Sequence, residues 1–96
     1  MKNPNGIARD CILSGESIPA GIAERVTELD LSYSQISDLS PIAGLTGLKT
    51  LYLFGTQVSD LSPIAGFTGL KTLGLTGTQV SDLSPIAGLT GLKSRI

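Results

Sequence analysis

Leu51 and Leu53 alternate with Tyr52 and Phe54, the period-two pattern of a short strand with its leucines facing inward. Gly55 then lets the chain turn, and Val58 and Leu61 supply inward anchors along a bend. Ser62-Pro63 reads as a helix start, with Ser62 as the expected N-cap and Pro63 at the first helical position. Ile64, Phe67 and Leu70 follow at a spacing of three, which suits a 3₁₀ or α turn with one buried side. Gly69 is the expected left-handed residue closing that turn, before Lys71-Thr72 lead into another strand.

The same unit occurs three times. Residues 29–50, 51–72 and 73–94 align at a period of 22 with no insertion or deletion. The second and third units agree at 18 of 22 positions, and the first agrees with each of them at 16. A strand, bend and short helix cannot bury its apolar side alone, so the three units must stack. Stacked strands lie about 4.8 Å apart. The expected fold is therefore α/β: a short right-handed solenoid with a parallel β-sheet on its concave face and 3₁₀ or α turns on its convex face.

The run Leu48, Leu51, Leu53, Thr56, Val58, Asp60, Pro63, Ile64, Phe67 and Leu70 resembles the leucine-rich repeat family. The 22-residue length and the Ser-Asp-Leu-Ser-Pro segment resemble its bacterial, internalin-like subclass, and the likeness covers residues 26–94. It implies a curved solenoid whose concave sheet binds other macromolecules, usually proteins. The family usually carries Asn where Ser34, Thr56 and Thr78 stand here, with the amide bonding backbone groups of adjacent turns. A hydroxyl has fewer bonding sites, so a weaker ladder is expected.

The two ends depart from the repeat. Residues 1–28 are expected to be an N-terminal cap, with 7–28 a degenerate repeat in the same register: Pro19 aligns with Pro41 and Val26 with Leu48. Within it Ile12 and Leu13 suggest an edge strand, and Ile18, Ile22 and Val26 suggest a short helix over 18–25 facing the first repeat. Arg9, Asp10, Glu16, Glu24 and Arg25 would form the wet outer side. Residues 1–6 are expected to fray. At 95–96 the array looks truncated, since Arg95 stands where a strand leucine belongs. The expectation is an open edge at Leu83, Ile86, Leu89 and Leu92 and an unpaired strand at 73–76. Either the chain is a fragment of a longer array, or a partner covers that edge, such as a second copy in a homodimer.

The repeats differ chiefly on the outward strand columns Asp30/Tyr52/Gly74 and Ser32/Phe54/Thr76, and at Tyr33/Gly55/Gly77. These residues, Asp30, Ser32, Tyr33, Tyr52, Phe54, Gly74 and Thr76, are the candidate partner-binding surface. Tyr52 and Phe54 are expected to protrude from the middle strand, and exposed aromatics of this kind anchor interfaces.

Composition narrows the chemistry. The chain has 96 residues, 41% of them hydrophobic, with no His, no Trp and a single Cys. That excludes His-based acid–base catalysis, His/Cys zinc sites and an intrachain disulfide. Cys11, with no His to activate it, reads as a buried cap residue. A net charge of −1 with seven basic residues offers no footprint for nucleic acid or for an anionic membrane. No apolar run is long enough to span a bilayer and the N-terminus lacks a signal-peptide core, so a cytoplasmic location is expected. AGLTGLKT at 43–50 superficially resembles a phosphate loop, but Leu48 separates Gly47 from Lys49 and the order is helix to strand. The column Asp38, Asp60 and Asp82 suits capping of local amides better than binding a cation such as calcium, whose sites usually need six to eight oxygens. Glu28 and Asp30 share a strand face without a surrounding pocket. No catalytic residue, metal or cofactor is expected. A non-catalytic protein-interaction module fits best; the alternative is a structural unit that oligomerises through its C-terminal edge.

Overall fold

A computed structural model describes residues 4–16 and 18–95. Four strands, β1 (Glu28–Asp30), β2 (Thr50–Tyr52), β3 (Thr72–Gly74) and β4 (Ser94–Arg95), form one parallel sheet in chain order. Their register repeats the sequence period: Leu29 pairs with Leu51, and Leu51 with Leu73. Each strand is followed by a bend and a 3₁₀ turn, Ser40–Ile42, Ser62–Ile64 and Ser84–Ile86. The result is the expected open solenoid, with the sheet on one face and the 3₁₀ turns on the other.

The core runs between these two faces as columns, not as a central ball. Leu51, Leu53, Val58, Leu61, Ile64, Phe67 and Leu70 of the second repeat are fully buried, as the spacing predicts. Backbone bonds also join successive turns outside the sheet, for example Gln57 N–H to Ile36 O (3.2 Å) and Gln79 N–H to Val58 O (3.0 Å). Each turn therefore shares both apolar contacts and backbone bonds with its neighbours.

Two local expectations change. Within the repeats the left-handed glycines are Gly55 and Gly77, three residues past the strands, not Gly69. The turn that Gly69 was expected to close ends instead in successive 3₁₀-type bonds, Phe67 N–H to Ile64 O and Leu70 N–H to Phe67 O. The capping side chain is the aspartate, not the serine. Ser62 is the first 3₁₀ residue, and the Asp60 carboxylate accepts its amide (2.9 Å) and its hydroxyl (2.6 Å).

The N-terminal cap is helical where a strand was expected. Helix α1 (Pro4–Ser14) includes Ile12 and Leu13. Proline at its first position is compatible with a helix start, and Ala8 and Ile12, four apart, form its buried face. Gly15, at φ +81, closes it: Glu16 N–H reaches Cys11 O (2.8 Å) and Gly15 N–H reaches Ile12 O (3.2 Å), the paired bonds of a Schellman end. Residues 4–6 thus belong to a helix, while 1–3 of the segment expected to fray lie outside the described residues. The expected second helix is present but shorter, α2 (Ala20–Ala23), with Val26 buried after it.

Helix α1 solves the edge problem of β1 with side chains. Asn5 Oδ1 accepts the Thr27 and Glu28 amides (3.1 and 3.4 Å), and Arg9 Nε donates to the Asp30 carbonyl (2.9 Å). Backbone groups that a preceding strand would have paired are satisfied by polar side chains that cannot propagate a sheet.

At the other end, the strand expected to stand unpaired has a partner. β3 pairs with β4, Thr72 with Ser94 and Leu73 with Arg95, so Arg95 continues the ladder although it breaks the leucine column. Ile96 lies outside the described residues.

Candidate protein interface

The outward faces of β1 to β3 carry Glu28, Asp30, Thr50, Tyr52, Thr72 and Gly74, continued just past the strands by Ser32, Phe54 and Thr76. The aromatics among them are anchored, not free-standing. Tyr52 and Phe54 stack on one another, with ring centroids 5.6 Å apart and planes 20° from parallel. The tip of the Phe54 ring fills the space over Gly74: a Cβ there would lie 2.5 Å from Phe54 Cζ. Tyr52 and Phe54 are consequently half-buried, and Gly74 is buried beneath the ring. This corrects the expectation of two protruding rings and removes Gly74 from the accessible surface. The reason is that an aromatic on one turn settles over the missing side chain of the next.

Tyr33 stands out instead. Its ring edge lies over Gly55, where a Cβ would meet Cδ1 at 2.6 Å, yet 82% of the residue is exposed. It adopts φ +61, in the left-handed region that its counterparts Gly55 and Gly77 also occupy. A side chain in that region is disfavoured by contact between Cβ and the following carbonyl. Tyr33 N–H is tied to Phe54 O (2.7 Å), which holds the segment against the second turn.

Asp30 and Ser32 pin the first turn. Asp30 Oδ1 accepts the Ser32 amide (2.9 Å), and Ser32 Oγ accepts the Phe54 amide (3.1 Å). Below them, the hydroxyls that replace the family's usual Asn close local turns within their own repeat. Ser34, Thr56 and Thr78 donate to the carbonyls of Leu31, Leu53 and Leu75 (2.6, 2.8 and 2.7 Å). No described buried side-chain polar atom, these hydroxyls included, is left unpartnered.

The aspartate column is occupied in capping. Asp38, Asp60 and Asp82 each accept the amide of the serine two residues on, at 2.9 Å. All three carboxyls are held below their ordinary pKa, first by the serine hydroxyls and then by the serine amides. The two outer aspartates act weakly against this at Asp60. Among the described residues no three His, Cys, Asp or Glu side chains converge on a metal-sized site, and no helix is long and apolar enough to cross a membrane. Cys11 is half-buried on α1, less enclosed than expected.

The expected self-association edge is only partly open. Leu83 is 41% exposed and Leu92 half-buried, whereas Ile86 and Leu89 are buried. The last 3₁₀ turn tucks its inward residues under the preceding one, so they offer little to a second copy.

Known proteins place this geometry. A family model described as leucine-rich repeats in two copies matches residues 24–66. An internalin (inlF) from Listeria monocytogenes superposes with a TM-score of 0.72 at 34% identity, over 80% of this chain and 24% of that one. Internalin C2 from the same organism gives a TM-score of 0.60 at 30% identity, over 84% of this chain and 46% of that one. The chain thus spans about a quarter and just under half of these two structures. A search of curated proteins brings no match. Three in-register 22-residue units, their parallel sheet and 3₁₀ turns, and these likenesses together identify the fold as a leucine-rich repeat solenoid similar to those of the internalins.

Proposed function

We propose that the chain is a non-catalytic module that binds a protein partner through the concave face of its sheet. Leucine-rich repeats generally mediate protein–protein interaction, which gives the class of function. The observation that carries the choice of face is where the repeats diverge. Inward positions are either identical from turn to turn or exchanged for a like residue, as in Ile36/Val58/Val80, while the outward columns change in kind, from Asp30 to Tyr52 to Gly74 and from Ser32 to Phe54 to Thr76. Tyr33, Tyr52 and Phe54 there provide large apolar contacts at low side-chain entropy, the usual make-up of binding hot spots.

The test replaces Tyr52 and Phe54 with Ser and Tyr33 with Gly, alongside a control with Ala65, exposed at the end of the convex 3₁₀ turn, replaced by Ser. Each variant, once shown folded by circular dichroism, is used to capture binding proteins quantified by mass spectrometry. Partners lost by the concave variant and retained by the control support the reading. Identical capture by both sinks it.

A second reading is self-association through Leu83, which rests on Leu83 being 41% exposed while Leu39 and Leu61 of the same column are buried. The same patch suits a further turn of the repeat. Sedimentation equilibrium over a concentration range decides: a monomer throughout removes it.

A further inference from the structure

Tyr33 is the strained residue of the concave face. Both counterparts in the sister repeats are glycines at φ +67 and +82, yet an aromatic is held there at φ +61 with most of its ring in solvent. Burial offsets little of that strain. Observed backbone strain of this kind points toward function more readily than toward packing.

Its electrostatic surroundings are one-sided. Outward positions of β1 to β3 and their continuations contain two carboxylates, Glu28 and Asp30, three hydroxyl-bearing threonines, Ser32 and the two rings Tyr52 and Phe54, but no Lys or Arg. Glu28 and Asp30 are exposed, and neither forms an ion pair among the described residues. Arg9, from α1, spends its Nε–H on the Asp30 carbonyl (2.9 Å). Register places Asp30 directly beside Tyr52. Exposed aromatic rings carry a negative π face, so rings and carboxylates here favour the same sign of partner.

We propose that this surface receives a cationic side chain, arginine foremost, presented by a protein partner. A planar guanidinium stacks on the Tyr52–Phe54 pair and donates to Asp30, the register neighbour of Tyr52, while the open Tyr33 ring offers a second stacking surface farther along the chain. Arginine is favoured over lysine because one planar group can both stack and bond a carboxylate in a forked geometry. The inference rests on the concave face being the docking face and adds the chemistry of what docks there.

The probe is a capped Gly-Arg-Gly-Arg-Gly peptide, with the isosteric citrulline peptide, a lysine peptide and maltose as comparators, followed by amide NMR shifts of the full chain. The expected result is saturable shifts over residues 28–33 and 52–55, at least about three-fold tighter for arginine than for citrulline, as an exposed cation–π contact gives. Binding should weaken with salt and with E28Q/D30N. It should also weaken with Tyr33→Gly, which keeps the backbone of the sister repeats and so should leave folding intact. Equal affinity for citrulline, or shifts confined to the convex aspartate column, overturns the proposal. Shifts over the same residues from maltose but not from the arginine peptide overturn it while leaving the concave face in use. No response to any probe, with partner capture still lost in the concave variant, overturns the arginine chemistry alone. Unchanged capture in that variant removes the underlying reading independently.

Discussion

Gly74→Ala should destabilise the chain only because of Phe54. Gly74 does not have a positive φ, so its backbone accepts a side chain, and alanine in a strand ordinarily gains about 0.5–1 kcal/mol over glycine from lower unfolded-state entropy. The obstacle is the ring: the new Cβ would sit 2.5, 2.8 and 3.0 Å from Phe54 Cζ, Cε1 and Cε2. Phe54 must swing away, giving up its stack on Tyr52, worth about 0.5–1.5 kcal/mol beyond the area it buries. The loss of buried apolar area adds to this at about 25 cal/mol per Å². In the wild-type background the net is a destabilisation of about 1 kcal/mol. In a Phe54→Ala background the obstacle is gone, and the same change should stabilise by about 0.5 kcal/mol. The sign should therefore reverse, with a coupling of about 1–2 kcal/mol. Urea titrations of the four proteins give the cycle, and near-ultraviolet circular dichroism of the tyrosines reports whether the stack is lost. Equal effects in both backgrounds, within the ~0.5 kcal/mol expected of independent sites, would refute the placement of the ring.

Other consequences follow from the columnar core and its polar fittings. Leu61→Ala, at a fully buried position between two turns, should cost about 2–5 kcal/mol, while Leu83→Ala in the same column, 41% exposed, should cost about 1 kcal/mol; comparable urea midpoints for the two would contradict the shared-core picture. Thr56→Val removes the buried hydroxyl that donates to Leu53 O and should cost about 1 kcal/mol, measurable in the same titration. Asp38, Asp60 and Asp82 have folded pKa values below their unfolded ones, so their stabilisation is complete above the ordinary carboxylate pKa and is lost as pH falls through the lowered values. Stability followed from pH 7 to pH 2 should therefore drop in acid, and D60N should make that drop shallower; an unchanged acid limb would show that the serine bonds do not favour the folded carboxylate. Asn5→Ala should speed hydrogen exchange at Thr27 and Glu28 selectively, since Asn5 Oδ1 accepts both amides.

Much of the fold was legible because one signal, the 22-residue period, fixes several levels together. It places Leu51 under Leu29 and above Leu73, names the inward residues and sets the order of strands. The N-terminal cap is less legible: the adjacent apolar pair Ile12–Leu13 suggests an edge strand, whereas Ala8 and Ile12, four apart with Pro4 before and Gly15 after, carry the helix signal. The serine of the Ser-Pro start has the look of a cap because it precedes proline. The carboxylate two residues earlier reaches both its amide and its hydroxyl and is the stronger acceptor.

Of the candidate interface, the columns and their chemistry could be read from alternation and from differences among the repeats. How far each ring is exposed could not. That depends on a residue about one turn later in the chain: Phe54 lies down because Gly74 leaves room, and Tyr33 rests against Gly55 while staying open to solvent.

The sequence alone determined the repeating unit, its inward face and the parallel stacking, because a fixed period leaves one register in which every turn buries its leucines. Only the tertiary structure decided what lies between and around the turns. It showed side chains of α1 taking the backbone groups of β1, Arg95 paired into the sheet, Ile86 and Leu89 buried, and Tyr33 as the ring left in solvent. Those outcomes depend on which side chain fills the space above its neighbour, and pairwise fit in three dimensions is not written in a one-dimensional period.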